Sequence, residues 1–224
     1  MNGFLCKLRQ NRIGERYSLT KKIGEGGCGA VYIGTSSAEH FTPRIDRRLG
    51  YDHATQQHVA LKLEHQTHGE ALREEADFYE CFQGRPGFPE IYWSGEKDDY
   101  FIMAFELLGP SLEDLFAYCD RRFTLKTTLM IADQLLTRLK AVHSAELVHR
   151  DVKPSNFLMG SGENGNVVYA TDFGIALQYD TRLLDTVEES VTRHRRVVGT
   201  TRFASLSAHK GQGSLHQAQT FKSS

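Results

Sequence analysis

Eight consecutive residues, His149-Arg150-Asp151-Val152-Lys153-Pro154-Ser155-Asn156, bring a carboxylate, two cations and an amide oxygen into one short segment. Asp151 is placed to accept a proton from a hydroxyl, and Lys153 to neutralise charge on a transferring phosphoryl group. Asn156 and, further on, Asp172 of Asp172-Phe173-Gly174 supply hard oxygen ligands of the kind Mg²⁺ prefers. The chemistry these types specify together is phosphoryl transfer. A polar loop that imitated both motifs in this order and at this separation is the weaker explanation.

Two upstream features supply what that chemistry still lacks. Gly24-Glu25-Gly26-Gly27-Cys28-Gly29-Ala30-Val31 fits G-x-G-x-x-G-x-V, in which missing side chains let backbone N–H groups approach phosphate oxygens. By itself this is a weak signal, because a glycine-rich hairpin reads the same way. A dinucleotide-binding crossover is disfavoured, since a strand-like run and not a helix follows. Val59-Ala60-Leu61-Lys62 then ends an apolar run in a lysine suited to phosphates if a carboxylate orients it. On a helical wheel Glu75 falls on the apolar face with Leu72, Tyr79 and Phe82, whereas Glu74 points away, so Glu75 is the expected partner of Lys62.

The elements that must position these residues follow from periodicity. Ser18 to Ile23 and Ala30 to Ile33 read as strands around the glycine cluster, and Val59 to Leu63 as another. Between them Ser36 to Gln57 is polar and longer than most loops, and is read as an insertion of unknown role. Gly69 to Phe82 is helical and is stopped by Gly84, Pro86 and Gly87. Glu90 to Phe105 forms two strands around Gly95 to Asp99, and Glu106 to Pro110 is a connector. Leu125 to Val142 carries Leu125, Leu129, Ala132, Leu136, Leu139 and Val142 at helical spacing. The expected class is α+β.

Composition narrows the context. The 224 residues correspond to about one and a half domains at roughly 150 residues each. Lys and Arg total 27 against 28 Asp and Glu, a formal charge of −1, which gives no global field for nucleic acid or an anionic membrane. The longest apolar run, Tyr100 to Phe105, is far short of the ~18 residues of a span, and neither lipidation pattern is present. The four cysteines, widely spaced and without C-x-x-C, read as free thiols in a reducing compartment, hence cytoplasm, nucleus or both. His58, His65 and His68 lack partners at a metal-binding spacing and read as surface histidines.

With its glycine loop, lysine strand and two catalytic motifs, the chain resembles a eukaryotic protein kinase. More narrowly it is similar to the casein kinase I family through Glu106-Leu107-Leu108-Gly109-Pro110-Ser111-Leu112-Glu113-Asp114-Leu115-Phe116, His149 to Met159, and Gly199-Thr200-Thr201-Arg202-Phe203-Ala204-Ser205. The resemblance implies a bilobal fold over residues 16–209, with a β-rich N-lobe carrying one helix at 16–107 and a helical C-lobe at 108–209. Residues 1–15 are an N-terminal extension and 210–224 a disordered tail. It implies ATP held by Ile23, Gly24, Gly26, Gly29, Val31, Ala60, Lys62, Glu75, Phe105, Glu106 and Leu108, with Phe105 as gatekeeper and Glu106 to Leu108 as hinge. Mg²⁺ would sit on Asn156 and Asp172. Asp151, Lys153 and Asn156 would carry catalysis on Ser or Thr, with Lys153 after the catalytic Asp marking that class. Acidic or phosphorylated protein substrates would dock at Arg202, and the chain would be a monomer.

Departures from the family pattern bear on activity. Cys28 replaces the usual Phe at the loop tip, and it reads as a small apolar residue more readily than as a redox switch. Thr192-Arg193-His194-Arg195-Arg196 adds a basic run that is either an anion dock or a solvated or nuclear-import segment. Ser207 replaces the family's Asn, and the family's following helices have no counterpart, so an incomplete C-lobe with exposed Leu129, Leu136 and Leu139 is expected. About five large side chains left exposed at ~1.5–3 kcal/mol each would cost of order 10 kcal/mol. The alternative is therefore a catalytically silent kinase fragment that binds nucleotide or a protein partner.

Overall fold

The computed structural model describes residues 13, 15–25, 45–66, 70–179 and 198–209. Gly26, Cys28, Gly29, Val31, the run 30–33, the 192–196 basic run and the 210–224 tail lie outside these residues.

Five antiparallel strands form the first layer: β1 (Tyr17–Glu25), β2 (Ile45–Asp52), β3 (Gln57–His65), β4 (Ile91–Lys97) and β5 (Tyr100–Phe105), in the order β1-β2-β3-β5-β4. The period of two along β3 decides what each residue does. Leu61 and Leu63 join Tyr17, Ile102 and Ala104 in one apolar cluster. Ala60, Lys62 and Glu64 alternate with them onto the other face, where helix α1 (Glu70–Glu80) packs. Glu64 accepts a bond from the Leu72 N–H at 3.0 Å. A carboxylate there satisfies a first-turn donor and complements the helix dipole.

The stretch 36–57 is not a plain insertion. Its residues 45–52 form β2, bonded on both sides, in register Leu49 with Ala60 and Gly50 with Leu19. The charged composition of Ile-Asp-Arg-Arg-Leu-Gly-Tyr-Asp hides this strand, because pairing with two neighbours overrides a weak β propensity. Its end is fixed by Asp52, a buried carboxylate that accepts from Arg16 Nε at 2.7 Å and Nη2 at 2.6 Å, Ala54 N at 2.9 Å and Thr55 Oγ1 at 2.9 Å. The Arg16 bonds are the main cause holding its carboxyl well below the ordinary value of 3.8. A depressed folded-state pKa contributes stability above the unfolded value and loses it as pH falls through the folded one. Asp52→Asn is therefore expected to lower the melting temperature at pH 6, with the gap to the unaltered chain closing as pH drops below about 4 in melts across pH.

The second layer contains α2 (Leu112–Tyr118), α3 (Leu125–Ser144), the short strands β6 (Leu147–Val148), β7 (Phe157–Met159), β8 (Val168–Ala170) and β9 (Leu177–Gln178), and α4 (Leu206–His209). Helix α2 begins in a capping box: Asp114 N donates to Ser111 Oγ at 3.1 Å and Ser111 N to Asp114 Oδ2 at 3.0 Å. Helix α3 leaves uncovered most of the stripe expected to be exposed, Leu139 being the exception. Leu125, Leu129 and Leu136 are exposed and Leu139 half-buried, while Ile131, Leu135, Ala141 and Val142 meet the core. The helix has two apolar stripes, and a wheel cannot say which one the core takes. Two polar side chains of α3 finish the β7–β8 ribbon: Gln134 Oε1 accepts from Val168 N at 2.8 Å, and Arg138 Nε donates to Val168 O at 3.0 Å.

One aromatic cluster joins the two layers. Phe82 stacks on Phe88 at 4.3 Å, and Phe173 is packed by Tyr79, Phe82 and His149 at 5.1, 5.6 and 4.9 Å. Cys81 and Cys119 are free and exposed. Among the described residues no helix is long and apolar enough to cross a membrane.

Candidate active site

The cleft between the layers is lined by Ala60, Lys62, Glu75, Tyr79, Phe105, Leu108, Leu158 and Asp172, among others. Ala60 and Phe105 are register partners across β3 and β5 and form one wall. Glu106 begins the connector. Its N–H donates to Glu90 O at 2.9 Å, and burial pushes its carboxyl up. Ile23 and Gly24 lie in β1.

At the back of this cleft Lys62 Nζ sits 2.5 Å from Glu75 Oε2 and 3.0 Å from Asp172 Oδ1. Lys62 and Glu75 are each 1% exposed. A charge so far from water persists only when paired, which is why the apolar face of α1 carries a carboxylate at all.

Asp151 lies in the loop after β6, and its two oxygens are held separately. Oδ1 accepts from Thr200 N and Thr200 Oγ1, both at 2.8 Å. Oδ2 accepts from Lys153 Nζ at 2.5 Å and Asn156 Nδ2 at 3.1 Å. Lys153 Nζ also donates to Thr200 Oγ1 at 2.8 Å, and burial lowers the pKa of this lysine. Thr200 can approach only because Gly199 precedes it: Gly199 has φ +94°, and a Cβ there would lie 2.3 Å from Arg150 O.

The loop is braced from behind. His149 is fully buried, which pushes its pKa down. The neutral ring donates from Nε2 to Thr171 O at 3.0 Å and accepts at Nδ1 from Asp151 N at 3.3 Å. Arg150 Nε donates to Ile175 O at 2.6 Å. Thr171 N and Oγ1 both donate to Asn156 O at 2.9 Å, tying together the two segments that carry Asn156 and Asp172. Arg150 and Asp172 have φ of +62° and +69°, left-handed values uncommon outside glycine and concentrated at functional sites.

A divalent cation fits this donor set. Asn156 Oδ1 is buried with no hydrogen-bond partner, although Nδ2 of the same amide donates to Asp151 O at 2.9 Å. A buried, unbonded amide oxygen on the residue whose Nδ2 meets the Asp151 carboxylate is a hard donor of the kind Mg²⁺ prefers.

The cleft thus unites Ala60, Lys62, Glu75, Phe105, Glu106, Leu108 and Asp172, with Asp151, Lys153 and Asn156 grouped on the loop after β6. Arg202 stands apart from the cleft. It is exposed on the turn 201–203, with its guanidinium 5.4 Å from the Phe203 ring. Both line a second, largely apolar cavity of about 430 Å³ whose wall includes Val152, Lys153 and Pro154 of the Asp151 loop. Sequence reasoning missed Thr200 and Tyr79 as site residues. Thr200 belongs to the run Gly199 to Ser205, whose pattern gives it no chemical role, and the helical spacing of Tyr79 marks it only as core.

The protein kinase domain family matches residues 17–205. The match runs through every part of the site just described, and the chain belongs to the protein kinase family. It therefore carries a transferase domain of the kinase class, and the expected α+β kinase fold is the one observed.

Proposed function

We propose that the chain is a serine/threonine protein kinase of casein kinase I type, transferring the γ-phosphate of ATP to Ser or Thr of acidic or already phosphorylated proteins. The observation that carries this reading is the Asp151 carboxylate, fixed between Lys153 and Thr200 on the loop that also carries Asn156. Asp151 accepts the proton of the incoming hydroxyl, and Lys153 and Lys62 offset phosphate charge. Asn156 and Asp172 would hold Mg²⁺, which when bound shields the phosphate oxygens. The small wall residue Ala60 and the floor residue Leu158 leave room for a flat base, and the connector from Glu106 to Leu108 supplies its edge contacts. Protein substrates with negative charge would meet Arg202.

A second reading, a catalytically silent chain that binds nucleotide or a protein partner, is favoured by one observation: the exposure of Leu125, Leu129, Met130 and Leu136 along α3.

Labelled phosphate transfer from Mg-ATP to matched Ser, Thr and Tyr peptides, plain and phosphorylated, separates the two. Transfer to Ser and Thr with a preference for the phosphorylated peptide is expected. No transfer by a chain that binds nucleotide selects the second reading. Arg202→Ala is expected to reduce the phosphopeptide preference by about five- to tenfold, the size of one exposed charge-assisted contact. Equal preference before and after the change removes Arg202 from docking.

A further inference from the structure

Glu75 and Tyr79 stand one helical turn apart on α1, and both reach Asp172 by different routes. Glu75 Oε2 holds Lys62 Nζ at 2.5 Å, and that ammonium holds the Asp172 carboxylate at 3.0 Å. Tyr79, 2% exposed, receives the Asp172 backbone N–H on its hydroxyl at 2.9 Å. Helix, tyrosine, aspartate, lysine and glutamate thus close a ring of bonds that begins and ends on one rigid helix.

We infer that the Tyr79 hydroxyl is a positioning residue for Asp172, holding its backbone in the conformation that presents the carboxylate to the cleft. Asp172 has φ +69°, a region that is unfavourable for a side chain with a Cβ. Something must hold it there. On its N-terminal side Thr171 is tied to Asn156 and His149, and on its C-terminal side the Phe173 ring is packed among Tyr79, Phe82 and His149. The 171–172 peptide plane is held at both of its ends, by His149 Nε2 donating to Thr171 O at 3.0 Å and by the Asp172 N–H donating to the Tyr79 hydroxyl. The Tyr79 hydroxyl is the acceptor that N–H meets. Without it the plane is held from the His149 side and the end that carries the Asp172 Cα loosens, and the carboxylate with it.

This inference rests on the proposal that Asp172 is a metal ligand, and its test separates the two. Tyr79→Phe removes only the hydroxyl and keeps the ring edge-on to Phe173 at its 5.1 Å spacing. Amide hydrogen exchange of the full chain, read by NMR, is expected to quicken about tenfold at Asp172 while Phe78 and Cys81 in and beside α1 stay within twofold. With a fluorescent ATP analogue, the Mg²⁺ concentration giving half-maximal binding is expected to rise about tenfold. Unchanged exchange at Asp172 overturns the inference whether or not nucleotide binds. Faster exchange with an unchanged Mg²⁺ midpoint overturns the positioning role. If the unaltered chain shows no Mg²⁺-dependent binding, the proposed function falls, and the exchange comparison alone decides whether Tyr79 holds Asp172.

Discussion

Asp151→Asn is expected to lower phosphate transfer by about 10²–10⁴-fold while nucleotide affinity changes little. The size follows from how the carboxylate is bonded. Each oxygen faces donors: Thr200 N and Oγ1 on one side, Lys153 Nζ and Asn156 Nδ2 on the other. An asparagine must point its own NH₂ at one of these pairs, so a donor confronts donors in either orientation. The substitution therefore removes the proton acceptor and also loosens either Thr200 or Lys153. None of these groups lines the part of the cleft formed by Ala60, Phe105 and Leu108. Transfer rate and analogue binding measured on the same preparation check this, and equal losses in both would show that Asp151 acts on binding.

The largest expected effect on stability belongs to Lys62→Met, about 3–5 kcal/mol. Methionine fills much of the lysine volume but leaves Glu75, 1% exposed, and Asp172, 11% exposed, without the cation between them. Most of the loss is the desolvation of those stranded charges, not the worth of the pair itself. The double variant Lys62→Met with Glu75→Leu should then recover more than half of it, because an apolar pair suits a buried helix face. Denaturant unfolding of the single and double variants measures this coupling. Additive losses would mean that Lys62 stabilises the fold through some contact other than Glu75.

These expectations draw on residues of different legibility. Lys62, Asp151, Lys153, Asn156 and Asp172 were readable because their chemistry is written in short runs, and Glu75 because one turn of a helix separates a buried carboxylate from an exposed one. Thr200 lies 49 residues from Asp151 and meets it only through the fold, past a glycine whose φ no composition reveals. Tyr79 looked like core, and it is core. Its hydroxyl gains a task from the Asp172 N–H, which is a backbone group and leaves no trace in side-chain type. Strand β2 was hidden by its charges, and α2 by its brevity, although Ser111 and Asp114 at N-cap and N3 were a legible start signal. The exposure of Leu129 and Leu136 on α3 followed from the missing neighbour, whereas the inward packing of Ile131 and Leu135 did not, because burial is a property of the neighbour as much as of the helix.

The bonds from Gln134 and Arg138 to Val168 have a consequence for how copies of this chain meet one another. A strand at the rim of a ribbon ordinarily presents a row of unused main-chain donors and acceptors, which invites a foreign strand to add itself. On β8 three groups of that row are taken: the N–H and C=O of Val168 go to α3, and the N–H of Ala170 goes to Gly87 O at 2.9 Å. Side chains of a helix thus stand where the next strand would, which works against a foreign strand adding itself along β8.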